Sequence, residues 1–213
     1  MVKIYVSNIS DLPDPKDHPE ILKGLSKKRI EKTLRYRQVK DRKQSFGAGL
    51  LLKKCLFEYG IDMESIRYGE NGKPEAKGIH FNISHSQDMV VCVVSNQPVG
   101  CDIENVDDLK EGIAERFFTD NEIRYLNTFS GDKKRDEFYR LWTMKESYMK
   151  MTGEGMSLAL DKFEFIIESD VKVYRDGKLC TCNIREYEIQ GYKLTVCAEE
   201  EEYIYEETKL DSF

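Results

Sequence analysis

The feature that most constrains this chain is a restart of its pattern near Gln97-Pro98. Before that point an opening strand, Lys3 to Ile9, runs into a loop with Pro13, Pro15 and Pro19, whose fixed φ and missing N–H break regular structure. Ile30, Leu34, Phe46, Leu50 and Phe57 then recur near helical spacing, and Ala48 to Leu52 is apolar nearly all round, as in a helix largely buried. Gly60 is placed to stop it. After a turn at Asn71-Gly72-Lys73-Pro74, residues 79–84 and 89–95 read as two strands joined through Ser86-Gln87-Asp88.

The second half repeats that order. A strand at 99–106, a short helix at 111–117 and the segment 120–129 lead to a second long helix. Its apolar positions are Phe138, Leu141, Trp142, Tyr148, Met149 and Thr152, with Gly153 and Gly155 ending the period. Strands follow at 162–167, 171–175, 182–188 and 191–198. A long buried helix before an antiparallel hairpin in each half predicts an α+β fold of two similar lobes, residues 1–98 and 99–213, each an antiparallel sheet packed on a long helix.

The 213 residues are 40% hydrophobic and 34% charged, a composition able to build a core and foreign to disordered or membrane chains. No apolar run reaches the roughly 18 residues of a membrane span. The start, Met1 to Ser7, lacks a secretory signal pattern, so a cytoplasmic protein is expected. The six cysteines (Cys55, Cys92, Cys101, Cys180, Cys182, Cys197) are scattered, three of them in strand-like runs, and read as reduced core residues. Cys180-Thr-Cys182 has the wrong spacing for a zinc half-site.

The net charge of −6 argues against a general nucleic-acid binder, but it is unevenly spread. Between Lys27 and Lys43 nine Lys and Arg face two acids, Glu31 and Asp41. The acidic excess lies partly in Glu199–Glu202, Glu206 and Glu207, whose simplest reading is a solvated end.

Strand alternation in Val99 to Val106 sets Asp102 and Glu104 on one face, roughly 6.5 to 7 Å apart, which suits a hard divalent cation bound through oxygen. The polar face of an exposed strand looks the same. On the second long helix Tyr139, Thr143, Glu146 and Lys150 form a stripe. Glu146 and Lys150, at i and i+4, also match a common solvent-exposed pair of roughly 0.2 to 0.5 kcal/mol. His85, after Phe81 and Ile83, is by itself an ordinary packing histidine, and Gly72-Lys73-Pro74 an ordinary turn. No G-x-x-x-x-G-K-[ST] is present, which excludes a P-loop.

In combination these blocks say more. Gly72-Lys-Pro74, Phe81-Asn-Ile-Ser-His-Ser86, Val99-Gly-Cys-Asp-Ile-Glu-Asn105, Phe117-Phe118 with Glu122, Phe138 to Lys150 and Gly153-Glu-Gly-Met-Ser157, in this order, resemble the 4'-phosphopantetheinyl transferases of the Sfp type. The central signature is (V/I)G-x-D-x-E followed some 40 residues later by W-x-x-K-E-(S/A)-x-x-K.

The resemblance implies a monomer with two lobes related by a pseudo-two-fold axis, holding coenzyme A and Mg²⁺ in the cleft between them. It implies Asp102, Glu104 and Glu146 as metal ligands, Lys150 near the pyrophosphate, and Lys73, Ser84 and His85 as coenzyme A contacts. Arg29, Lys32 and Ser45 fall near the positions that hold the nucleotide phosphates. The implied reaction transfers 4'-phosphopantetheine to a serine of an apo acyl or peptidyl carrier protein and releases 3',5'-ADP. Glu146 or a metal-bound water would take the serine proton, and Lys150 would stabilise the departing group. The carrier is expected to dock on an exposed subset of Ile113, Phe117, Phe118, Tyr125 and Leu126. A Mg²⁺-dependent phosphodiesterase or nuclease, and a non-catalytic module binding coenzyme A or carrier proteins, are the alternatives; neither a nucleic-acid nor a membrane partner is expected.

Overall fold

The computed structural model describes residues 1–69, 72–109 and 112–210, with the backbone alone at Met156. Asn71 of the expected turn and Glu111 at the start of the expected short helix lie outside the described residues. The first half comprises β1 (Val2–Asn8), α1 (Lys27–Arg35), α2 (Val39–Glu58), β2 (Arg67–Tyr68), β3 (Pro74–Glu75), β4 (His80–Ser86) and β5 (Met89–Ser95). The second opens with β6 (Val99–Asn105), α3 (Ile113–Phe117), α4 (Asp120–Leu126) and α5 (Gly131–Thr152). It continues with β7 (Phe163–Ile167), β8 (Val171–Arg175), β9 (Lys178–Leu179), β10 (Asn183–Ile189), β11 (Tyr192–Ala198) and β12 (Tyr203–Glu207).

The topology repeats as the sequence pattern does. In the first half β1 pairs antiparallel with β5, and β5 with β4, with α2 packed on that sheet. In the second, β6 pairs antiparallel with β11, and β11 with β10, with α5 across them. Each half is thus a strand, a long helix and a hairpin whose last strand returns beside the first, giving an α+β fold of two lobes. A small sheet, β7-β8-β9, is added to the second half.

The cores follow from the strand periodicity. Tyr5, Val90, Cys92 and Val94 face α2 together with Phe46, Leu51 and Leu52. The opposite faces of the same strands, carrying Ile4, Val6, Val91 and Val93, pack against Val99, Cys101, Ile103, Leu194 and Val196. Strand β5 is therefore buried on both sides, which is why its sequence reads as an unbroken apolar run. All six cysteines are free; Cys55, Cys92, Cys101 and Cys197 are buried.

One expectation fails at the acidic end. Residues 203–207 form a strand, β12, that lies parallel to β1 from Val2↔Tyr203 to Val6↔Glu207. It extends the sheet of the first half. Backbone bonds Val2 N–H to Glu202 O (2.7 Å) and Thr208 N–H to Val6 O (2.7 Å) close both ends. Half-buried Tyr203 and Tyr205 alternate inward, Tyr205 stacking on Tyr187 at 5.1 Å, while Glu206 stays out and meets Lys54.

Candidate active site

The site is built where β6 crosses α5, and Gly100 sets how close the two can come. A Cβ at position 100 would lie 2.1 Å from the Ser147 carbonyl oxygen and 2.4 Å from the Met151 nitrogen. Only a residue without a side chain permits this crossing. Two residues further on, Asp102 consequently meets Lys150: its Oδ1 accepts from Lys150 Nζ at 2.6 Å and from Ser84 Oγ at 2.8 Å. Asp102 is buried, and its Oδ2 has no hydrogen-bond partner.

Glu104, half-buried on the same face, accepts from Ser86 Oγ at 2.8 Å. Burial, and then the neighbouring Asp102 charge, push its carboxyl up to about 7. Glu146, also half-buried, is raised by burial and by Asp102, with Lys150 partly offsetting both. Burial disfavours the Lys150 ammonium, yet Asp102 with Cys101 and Glu146 holds it above the ordinary lysine value. Three carboxyl groups thus act electrostatically on one another across one space, with the ammonium of Lys150 bonded to the most buried of them. As the side chains stand, no three His, Cys, Asp or Glu among the described residues are gathered closely enough to form a metal cluster.

Lys73 donates to the Lys150 carbonyl at 2.7 Å, so the Gly72-Lys73-Pro74 turn reaches from the first half onto the helix of the second. Burial lowers its pKa. His85 is exposed at its edge, yet desolvation, then Lys32 and Lys150, favour the neutral imidazole. Gly72 and Pro74, on either side of Lys73, belong to the walls of a cleft of about 830 Å³ that also include Lys27, Lys28, Arg29, Lys32 and Arg35. Arg29 is buried with its Nε unpartnered, and burial lowers its pKa. Lys32 is lowered by burial and by Arg29 beside it.

Ser45 stands apart from that wall. It is buried between α1 and α2, where its hydroxyl bonds Thr33 Oγ1 at 2.8 Å. The expected carrier-docking set also divides: Phe118 and Leu126 are core, whereas Ile113, Phe117 and Tyr125 are half-buried.

Three residue sets were not visible as site features in the sequence. Ser86 holds Glu104, as above. Tyr68 takes the Lys28 ammonium over its ring, 3.3 Å from the centroid, and so shapes the cationic cleft. The third is the lysine inside W-x-x-K-E: Lys145, fully buried, donates to both oxygens of Glu122 at 2.7 and 2.6 Å and to the Phe163 carbonyl at 2.8 Å. Glu122 also accepts from the N–H groups of Thr119 (2.9 Å) and Phe165 (2.9 Å). The signature therefore splits by helix face, Lys145 tying α5 to α4 and β7, with Glu146 and Lys150 toward Asp102 of β6. The clue was Glu122 at the third position after Thr119, a capping-box spacing.

Comparison with known proteins gives the same answer as the motifs. A family model described as the 4'-phosphopantetheinyl transferase superfamily matches residues 98–197, which contain β6, α5 and the hairpin β10–β11. The chain is 38% identical to the 4'-phosphopantetheinyl transferase gsp of Aneurinibacillus migulanus, over 82% of this chain and 76% of that one. It is 34% identical to the 4'-phosphopantetheinyl transferase Sfp of Bacillus subtilis (strain 168), over 92% of each. The signature lining the β6–α5 crossing and this near full-length likeness lead to one conclusion: the chain belongs to the 4'-phosphopantetheinyl transferases of the Sfp type.

Proposed function

We propose that the protein moves the 4'-phosphopantetheine arm of coenzyme A onto a serine hydroxyl of an apo acyl or peptidyl carrier protein, with Mg²⁺, releasing 3',5'-ADP. The observation that carries this reading is the nearness of a cationic cleft to a buried carboxylate group whose Asp102 Oδ2 has no partner: Lys32 of the cleft and Lys150 beside Asp102 both act on His85, and Lys73, between Gly72 and Pro74 of the cleft wall, bonds the Lys150 carbonyl. An orphaned buried carboxylate oxygen beside two further carboxyls is a donor set that suits a hard dication. Asp102, Glu104 and Glu146 would hold Mg²⁺. When bound, it supplies neutralisation of the pyrophosphate and of charge developing on the leaving group.

The chain's own residues do the rest. Arg29 and Lys32 bind the nucleotide phosphates, with Lys73, next to the cleft residues Gly72 and Pro74, and His85, within the field of Lys32 and Arg29, as further coenzyme A contacts. Ser84, bonded to Asp102 and 3.4 Å from Lys150 Nζ, would be a further coenzyme A contact. Glu146, which burial and Asp102 raise above an ordinary glutamate, is thereby a stronger base and the candidate to accept the serine proton, a metal-bound water being the other. Lys150 stabilises the departing 3',5'-ADP. Residues 1–98 then bind coenzyme A and residues 99–213 carry the metal and catalytic groups. We take the protein to work as a cytoplasmic monomer without a nucleic-acid or membrane partner; among the described residues no helix is long and apolar enough to cross a membrane.

The test is incubation with coenzyme A, Mg²⁺ and a panel of apo carrier proteins, read by mass. One carrier should gain the arm with the parent and not with Glu146→Ala. DNA hydrolysis independent of coenzyme A would favour the nuclease reading, and coenzyme A binding without any mass gain the non-catalytic one.

A further inference from the structure

Strands β4 and β6 belong to different sheets yet lie side by side, and side chains join them. Asn82 Oδ1 accepts the N–H of Cys101 at 3.0 Å, Ser84 Oγ that of Ile103 at 3.3 Å, and Ser86 Oγ that of Asn105 at 3.1 Å. All three pairs are separated by 19 residues, so the strands run in parallel, alternate β4 side chains standing in for a backbone ladder. Each serine also gives a proton: Ser84 to Asp102 Oδ1 and Ser86 to Glu104 Oε2, both at 2.8 Å. A hydroxyl has one hydrogen and two lone pairs, so each serine can accept from β6 and still give its single proton to the carboxylate one residue earlier on β6.

We propose that Ser84 and Ser86 are positioning residues, through which the seam between the two halves orients Asp102 and Glu104. This rests on the reading of those two carboxylates as metal ligands. A glutamate has three side-chain torsions to fix, and the Ser86 bond removes that freedom before a ligand arrives. The three rungs share one register, so the same contact that seats β4 on β6 aims both carboxylates. Ser86 is the cleaner member, since Ser84 also lies 3.4 Å from Lys150 Nζ.

The experiment titrates Mn²⁺ into the full chain, with coenzyme A present and carrier protein absent, and reads free Mn²⁺ by electron paramagnetic resonance. Loss of a group that orients a metal ligand typically weakens affinity about 10- to 100-fold. We expect that loss in Ser86→Ala, affinity within a few-fold of the parent in Ser86→Thr, a loss in Glu104→Gln, and no further loss when Ser86→Ala is added to Glu104→Gln. Circular dichroism melts accompany each variant, and Ser86→Cys replaces Ser86→Ala if the latter does not fold. Parent-like affinity in Ser86→Ala, or no rescue by Ser86→Thr, with Glu104→Gln weakened, overturns the positioning role alone. Parent-like affinity in Glu104→Gln removes Glu104 from the metal site and the inference with it.

Discussion

Two lysines five residues apart on α5 separate support from chemistry at the residue scale. Lys145 is sealed with Glu122, and breaking a buried pair by removing one partner strands a charge, costing about 3 to 5 kcal/mol. Lys145→Met should lose stability in that range by denaturant unfolding; a loss under about 1 kcal/mol would show that α5 does not depend on the pair. Glu104 carries a pH dependence. Its carboxyl stands at about 7 when folded, against roughly 4.3 for a free glutamate. The folded protein thus keeps a proton the unfolded chain gives up. That stability is fully present below the unfolded value and is lost as pH rises through the folded one. Without metal, Glu104→Gln should melt above the parent at about pH 8, with the difference vanishing by about pH 4. A constant difference across a calorimetric pH series would contradict it. Neither burial can be read from a letter: Lys145 and Lys150 look alike in sequence, and Ser45, an ordinary polar residue by its letter, is buried against Thr33.

At the scale of elements, periodicity was enough wherever burial was regular. The second long helix, the 89–95 strand and the 191–198 strand stand within a few residues of where their apolar spacing puts them, whereas the first helical pattern is divided between α1 and α2 and two of its apolar positions, Leu34 and Phe57, are exposed. Strand β12 escaped because Tyr203 and Tyr205 are its only inward aromatic residues and charged glutamates surround them. Its partner, β1, is 201 residues away in every pair, a distance no local pattern can encode. The β6–α5 crossing is the element contact on which the site depends. Gly100→Ala forces a methyl onto helix backbone, which cannot rotate aside. Overpacking of this kind costs about 1 to 3 kcal/mol or more. Because strand and helix must part, Asp102 withdraws from Lys150, and transfer should fall by more than the lost folded fraction explains. Turnover beside a thermal melt decides this; a folded variant with parental turnover would uncouple the crossing from the chemistry.

Over the whole molecule, the two proposed partners, anionic coenzyme A and a carrier protein of a kind typically acidic around its target serine, must approach a protein whose net charge is −6. The carrier cannot rely on long-range steering, so apolar contact should hold it. With Phe118 and Leu126 in the core, Ile113, Phe117 and Tyr125 remain as the half-buried candidates. Alanine in an exposed subset of the three should raise KM for the carrier and leave KM for coenzyme A alone; unchanged carrier kinetics in all three would move docking elsewhere.

Coenzyme A meets a different field. Five cations line its proposed cleft against Glu31 and Glu64, so attraction begins only within the cleft, inside a screening length of roughly 10 Å at 0.1 M salt. Charges that position phosphates act on ground and transition states alike. Lys32→Ala should therefore raise KM for coenzyme A several-fold with kcat at saturation nearly unchanged. Lys32→Glu should raise it further. Lys32 is the better probe than Arg29, whose buried stem lies against Gly49 and whose removal would also disturb the α1–α2 packing. Added salt should raise the parent's KM more steeply than that of the Glu variant, since one attractive charge has become repulsive. If reversing Lys28, Lys32 and Arg35 together leaves KM for coenzyme A unchanged at low salt, the basic wall is a solvated face and the nucleotide binds elsewhere.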